Sequence, residues 1–394
     1  MRRREFCQKM LVLGGTFAAA PLIKACSPAP DLTDTVVPAP TSASQLLALS
    51  SPSPLPSSTP IHIATETPFP TEEALQTAVE SSQALPLVTN HPDKSLVALV
   101  KTRNRSEGVT QALALLGANP VNSNRILLKP NFNSADPSPG STHLDILRSL
   151  VNNLTYLGAS HITVGDRSGM GNTDLVMDQL GIFDLSKELG FDTVVFDDLA
   201  AADWVHQSDS DFHWSAGFPV PRLLVESECV VQTCNLKTHQ YGGHFTLSLK
   251  NSVGFAAKTV PTNSHDYMRE LHNSSHQRQM IAEINMAYKP ALIVMDGVEA
   301  FVTGGPAKGK KVDAEVVLAS TDPVAIDAVG VAILRLFGTT REVSRGAVFE
   351  QAQIARAAEL GLGVNGPEMI QFATLDSNSE AYAALIRNEL LNKS

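Results

Sequence analysis

Beyond Asp93 the chain alternates short β-branched runs with longer amphipathic stretches that stop on glycine, and this alternation restricts the fold more than any other feature. Strands separated by helices do not pair as tight hairpins. Each needs a crossover, and the crossover helix must cover the sheet. The order predicts one α/β domain over residues 93–394, a mainly parallel sheet covered by helices. Expected strands are Leu96–Val100, Arg125–Lys129, His161–Val164, Thr193–Phe196, Cys229–Thr233, Ala291–Met295 and Glu315–Ala319. Expected helices are Glu107–Leu116, stopped by Gly117, and His143–Leu157, stopped by Gly158. Asp322 and Pro323 supply an N-cap and a first helical residue for a third, which runs to Phe337 before Gly338. A final amphipathic pair covers Ser344–Leu360 and Ser379–Leu391.

The first 92 residues read differently. A basic start is followed by an apolar run, Leu11–Ile23, too short for a stable membrane span. Arg3-Arg4-Glu5-Phe6 resembles the twin-arginine export consensus, although Cys7 and Gln8 depart from its usual Leu and Lys. Leu22 to Cys26 resembles a lipobox, in which Ala25 permits cleavage and Cys26 takes the lipid; Lys24 is unusual there. These resemblances imply a signal peptide over 1–26 and an exported lipoprotein, tethered through Cys26 to the extracytoplasmic face of the membrane. Residues 27–92 are rich in Pro, Ser and Thr, and hold no Lys or Arg. Such a segment buries too little apolar surface to offset the entropy of ordering it, so a disordered stalk is expected. Its end-to-end distance as a flexible chain is roughly 45 Å.

Thirty basic against forty acidic residues give a formal charge of −10, without clustered basic surface. Nucleic acid is thereby excluded as an expected partner. Four cysteines are too few for a disulfide framework, and two lie in the leader. The other two, Cys229 and Cys234, have an odd spacing on one expected strand and so point to opposite faces, too far apart to bond. No Cys-x-x-Cys run is present.

The residues just past the strand ends are informative. Lys129-Pro-Asn131 ends one strand, Asp166-Arg167 another, Asn235-Leu-Lys237-Thr-His239 a third and Asp296-Gly297 a fourth. In parallel α/β sheets the ligand crevice lies outside the carboxyl ends of the strands. Any one of these could be an ordinary solvated loop start, but four together point to a site.

The blocks Ile126-Leu-Leu-Lys-Pro-Asn131, Asn235-Leu-Lys-Thr-His239, Ser248-Leu-Lys-Asn251 with Gly254, Met295-Asp-Gly297, Gly304-Gly-Pro306 with Gly309, and Ser320 to Asp327 occur in one order. They resemble the domain of unknown function 362 family from residue 96 to about 337. Many members carry an added ferredoxin-like cysteine segment, which has prompted an iron–sulfur redox reading of the family. This chain lacks that segment.

Within these blocks Lys237 and His239 are two apart and face one side if their strand persists. Gly242-Gly243 permits close backbone approach, and Lys250-Asn251 lies just beyond. Five of the eleven histidines, His239, His244, His265, His272 and His276, fall between 239 and 276. Neutral imidazole is the commonest metal ligand, and lysines suit an anionic substrate. Hydrogen-bonded structural histidines are commoner than ligands, however. His272 and His276 would share a helical face, but Asn-Ser-Ser between them lacks the glutamate of the zinc-protease pattern. Gly304 to Lys310 superficially matches a phosphate-binding loop, yet Lys311 stands where Ser or Thr is needed and a strand comes next where a helix is required. The stretch reads instead as a lid or anion nest. Asp327 sits on a strongly apolar helix, where an unpaired carboxylate would cost several kcal/mol, and must have a partner. It is read either as a structural cap or as a group orienting a lysine or histidine of the site.

The run His239, Gly242-Gly243, Lys250, Gly254, His265 is loosely similar to the lactate racemase family. That family has a histidine, a glycine-rich turn, a lysine bearing a covalent nickel-pincer nucleotide and a further metal-binding histidine in this order. The likeness implies that Lys237, His239, Lys250 and His265 converge. Two readings are open. In the first, a metal- or cofactor-assisted enzyme acts on a small anionic organic substrate. Lys237, His239, Lys250 and Asp296 are its catalytic candidates, Lys129, Asn131, Asp166, Asn251 and Asp327 bind substrate, and His239 and His265 hold a metal ion. In the second, a non-catalytic lipoprotein captures a solute or assists assembly of another complex.

Overall fold

The computed structural model describes residues 94–392, apart from 118, 120 and 122–124. The expected signal, Cys26 and the stalk lie outside the described residues. In chain order the strands are β1 (Ser95–Lys101), β2 (Arg125–Lys129), β3 (His161–Asp166), β4 (Asp192–Val195), β5 (Trp204–Gln207), β6 (Phe218–Pro221), β7 (Cys229–His239), β8 (His244–Thr246), β9 (Pro290–Gly304), β10 (Gly309–Ser320) and β11 (Ile370–Thr374). The main sheet has the order β11-β1-β10-β9-β7-β2-β3-β4, with β8 hydrogen-bonded to β7 off this path and β5 and β6 forming a separate ribbon. Neighbours β9-β7-β2-β3-β4 are parallel, as are β1 and β11. Strand β10 runs antiparallel to both β1 and β9. The architecture is therefore α/β with a mainly parallel sheet.

Both faces of the sheet are covered, which is why the central strands read as continuous apolar runs. Every residue of β7 is buried. Its Cys229 and Val231 pack with Ile126, Leu128, Leu292 and Val294 beneath the helices Arg105–Leu116 and Leu144–Tyr156. Its Cys234 and Leu236 pack on the other face with Met295, beneath the helix Pro323–Leu336. The two cysteines thus serve opposite cores and form no disulfide with each other. Pro323–Leu336 is buried from Pro323 through Leu334, and each large aliphatic side chain withdrawn there contributes about 1.5–3 kcal/mol.

The helix ends obey local rules. Asn104 accepts from the Glu107 amide, Gly117 closes that helix at φ 64°, and Asp322 accepts from the Val324 and Ala325 amides. Three features depart from expectation. Glu315–Ala319 is only the end of the long β10, which pairs with β9 as a hairpin turning through Gly305 and Pro306. The expected helix over Ser344–Leu360 is broken into Arg341–Ser344 and Ala352–Glu359, because Gly346 adopts φ 67° between them. His272 and His276 lie in successive helices, Tyr267–Asn273 and the N-cap of Gln277–Ile284, and share no helical face.

Candidate functional site

Strands β2 and β3 end side by side at Lys129 and Asp166, while β7 continues beyond them from Gln232, which is paired with Lys129, to His239. Gly242 turns the chain at φ 80°, and β8 returns with His244 opposite His239. The chain then enters the short buried helix Ser248–Asn251. These segments enclose a cavity of about 400 Å³, lined in part by Lys129, Asn131, Asp166, His239, Lys250 and Asn251.

The floor is a closed polar network. Lys129 Nζ lies 2.6 Å from Asp166 Oδ1, and donates to Pro130 O at 2.8 Å and Asn251 Oδ1 at 3.3 Å. Burial lowers the Lys129 pKa and the Asp166 carboxylate opposes that shift. Asp166 also accepts from the amides of Phe132 at 2.7 Å and Arg167 at 2.6 Å. Asn251 Oδ1 accepts from Asn131 Nδ2 at 3.2 Å, while Asn251 Nδ2 donates to Gln232 Oε1 and Thr233 O. A Cβ on Gly254 would stand 2.4 Å from Asp166 Oδ1 and 2.6 Å from Lys129 Nζ, so only glycine fits over the ion pair.

The wall is different in kind. A Cβ on Gly243 would stand 2.6 Å from Lys250 Cε and 3.1 Å from His239 Nδ1, so the glycine lets both side chains crowd one point. Lys250 is buried, and its ammonium has no hydrogen bond or ion pair among the described residues. Burial, then Arg167, pushes its pKa down to about 8. Burial, then Lys250 and Lys237, holds the His239 imidazole well below its ordinary value, so it is neutral. Its Nδ1 is buried without a partner, as are Asn133 Nδ2 and Thr246 Oγ1 of the same cavity. Buried polar atoms of this kind are costly unless a ligand satisfies them.

The cavity carries excess positive charge. Lys129 and Lys258 are matched by Asp166 and Asp197. Arg167 is not hydrogen-bonded to a carboxylate; its guanidinium is held by Ala256 O at 2.8 Å, Ser168 O at 3.3 Å and Val253 O. With Lys250 it outweighs Asp266, the other acidic residue lining the space. The sequence places Arg167 beside Asp166 at a strand end without assigning it a role, and it does not single out Asn133, though each lies within four residues of a strand end.

Four expectations are corrected. Asp296 accepts from Arg105 Nε at 2.9 Å and from the Val298 amide at 3.0 Å, and does not line the cavity. The period of two along β9 puts it on the face of Leu292 and Val294, under the Arg105–Leu116 helix. Asp327 does not line the cavity either. It accepts from the amides of Ser248 at 2.7 Å and Leu249 at 3.1 Å, and so fixes the helix that carries Lys250 and Asn251. Lys237 sits behind Asn131, donating to Asn131 Oδ1 at 2.8 Å and to Gly140 O, with its pKa lowered to about 7 by burial and then Lys250.

His265 does not join His239. Asp266 caps the helix Tyr267–Asn273, and its neighbour His265 pairs with Glu270 at 2.6 Å in a separate open groove of about 790 Å³. His272 lines the cavity instead. Among the described residues no three His, Cys, Asp or Glu side chains gather as metal ligands. Since His239 is surrounded by Lys250, Lys237 and His272, the residues present do not fit a metal cation. The glycine stretch from Gly304 is the β9–β10 turn, and its Pro306 reaches the cavity.

No curated protein matches the chain in sequence. The lactate racemase apoprotein from Thermoanaerobacterium thermosaccharolyticum is similar at 15% identity, covering 58% of this chain and 55% of its own, with a TM-score of 0.37. A Thermotoga maritima protein is similar at 14% identity, covering 65% of this chain and 57% of its own, with a TM-score of 0.33. The chain thus spans little more than half the length of either structure. The family model described as Domain of unknown function (DUF362) matches residues 126–332, more than half of the chain, and the chain belongs to that family.

Proposed function

We propose that the cavity binds a small organic anion and that Lys250 and His239 move protons on it. One observation carries this reading: a buried lysine without a partner stands beside a neutral histidine whose Nδ1 is also without one. A lysine with a pKa of about 8 holds both protonation states in useful amounts near neutral pH, and a neutral imidazole is ready to accept a proton. The excess positive charge favours an anion. The closed network of Lys129, Asp166, Asn131 and Asn251 fixes the floor, so little reorganisation is needed on binding. Asp327 holds Lys250 in place through the backbone.

The leader supports a location for this activity. Arg3-Arg4 and Cys26 argue for an exported lipoprotein that works on the outer side of the membrane.

Calorimetric titration with a panel of small carboxylates tests the site, and solvent-deuterium incorporation into the bound acid tests the proton transfer. At least one carboxylate should bind, and Lys250→Met should weaken it roughly tenfold to a hundredfold. His239→Gln should abolish deuterium incorporation. Binding without incorporation would favour solute capture, and the absence of binding would overturn the site.

A further inference from the structure

We propose that Lys250 is a nucleophilic amine that condenses with the carbonyl group of a small carboxylate, so that the substrate class is a 2-oxo acid or a comparable carbonyl-bearing anion. The inference rests on the anion-site reading above and deepens it.

Three buried lysines lie at or beside the cavity, and their surroundings separate them. Lys129 is committed to Asp166 and to two oxygen acceptors. Lys237 is committed to Asn131 and Gly140 and does not line the space. Lys250 lines the cavity and is committed to nothing. A desolvated lysine beside another cationic group is the usual setting of an amine nucleophile. Here the fixed guanidinium of Arg167 supplies that charge, and burial brings the pKa to about 8, which leaves free amine available near neutrality.

The surroundings also suit the partner. The cationic balance set by Arg167 would hold a carboxylate, and the buried Asn133 Nδ2 and Thr246 Oγ1 have hydrogen-bonding capacity unspent. Val253, Met268 and Pro306 supply apolar wall for a short carbon chain.

The chemistry balances without an oxidant, reductant or metal. The Nζ lone pair attacks the carbonyl carbon, a C–N bond forms, and the π pair of the C=O bond moves to oxygen, which takes a proton. The carbinolamine then loses that oxygen as water while nitrogen forms the C=N bond and releases its remaining proton. Amine plus carbonyl compound gives imine plus water. His239, crowded with Lys250 against Gly243, is placed to take the proton from nitrogen and return it to the departing hydroxyl.

The test is reductive trapping on the full-length protein with pyruvate and sodium borohydride, read by intact mass and peptide mapping. One adduct is expected per chain, adding the mass of pyruvic acid less its carbonyl oxygen, since the imine loses water and the reduction restores two hydrogens, and located on Lys250. Lys250→Arg keeps the charge and most of the volume, so it should fold and bind carboxylate but form no adduct. Lactate, which has no carbonyl, serves as the binding control by calorimetry. If the carboxylates bind and no adduct forms, or if the adduct persists in Lys250→Arg, the covalent proposal is overturned while the anion site stands. If neither pyruvate nor lactate binds and no adduct forms, both fall.

Discussion

Lys129 Nζ lies 2.6 Å from Asp166 Oδ1, and the two side chains, 1% and 2% exposed, come from the ends of the adjacent parallel strands β2 and β3. A buried pair of this kind is costly to break from one side, because the surviving charge is left without a partner. Asp166→Asn should therefore destabilise the domain by about 3–5 kcal/mol, measured by urea denaturation. An Asn variant as stable as the parent would show that the ion pair contributes nothing to the fold.

Gly254 covers that pair so closely that a methyl group cannot be added without moving it. Gly254→Ala should cost about 1–3 kcal/mol in the same assay, through overpacking rather than backbone strain, since the residue does not adopt a positive φ. Shortening Lys129 to Ala in the same chain should relieve only part of the loss, because Asp166 Oδ1, at 2.4 Å, is the nearer obstacle.

Asp327 offers a pH-dependent test. Burial raises its pKa from 3.8 to about 8, against the opposing pull of the Leu249 and Ser248 amides. A carboxyl whose folded pKa is raised holds its proton more tightly in the native state than in the unfolded one. Its contribution is fully present below about pH 4 and is lost as pH rises through about 8. Stability of the wild type relative to Asp327→Asn should decline across that window. A constant difference from pH 4 to 9 would show that the carboxylate is ionised throughout.

Carboxylate affinity should fall as pH rises through about 8, where Lys250 loses its charge. In Lys250→Arg the affinity should hold to well above that value, since a guanidinium stays protonated. Calorimetry across pH 6.5 to 9.5 reads both; an identical decline in the two proteins would assign the titration to another group.

The leader is tested separately. Replacing Arg3 and Arg4 with lysine should stop export, and Cys26→Ala should release the protein from membranes, as read by cell fractionation. A Cys26→Ala protein that stayed with the membrane would make the apolar run Leu11–Ile23 the anchor.

Much of the candidate site was legible in the chain because strand ends deliver it. Lys129, Asn131 and Asp166 lie just where β-branched runs give way to polar residues, and all three line the cavity. Lys250 and Asn251 stand out as polar residues in an apolar block, and the glycines at 243 and 254 mark close approaches now visible as contacts. Arg167 and Asn133 carry the same strand-end signal. Asp296 mimics that signal and misleads, because β9 runs on to Gly304 and holds Asp296 within the strand, on the face of Leu292 and Val294.

The sequence by itself determined the α/β class and seven of the nine strands of the main sheet, missing β8 and β11, because periodicity and turn residues act over a few neighbours and are written in order. It also determined that Cys229 and Cys234 serve opposite faces, a consequence of the period of two. Only the tertiary structure decided that His272 rather than His265 meets His239, and that β10 runs against its neighbours. It alone placed Asp327 behind Lys250 as an anchor, and separated a committed Lys129 from an uncommitted Lys250. Those outcomes depend on contacts between residues far apart in the chain, such as Asp327 with Ser248 and Lys129 with Asp166, and the energy of a buried charge is set by what packs around it in space.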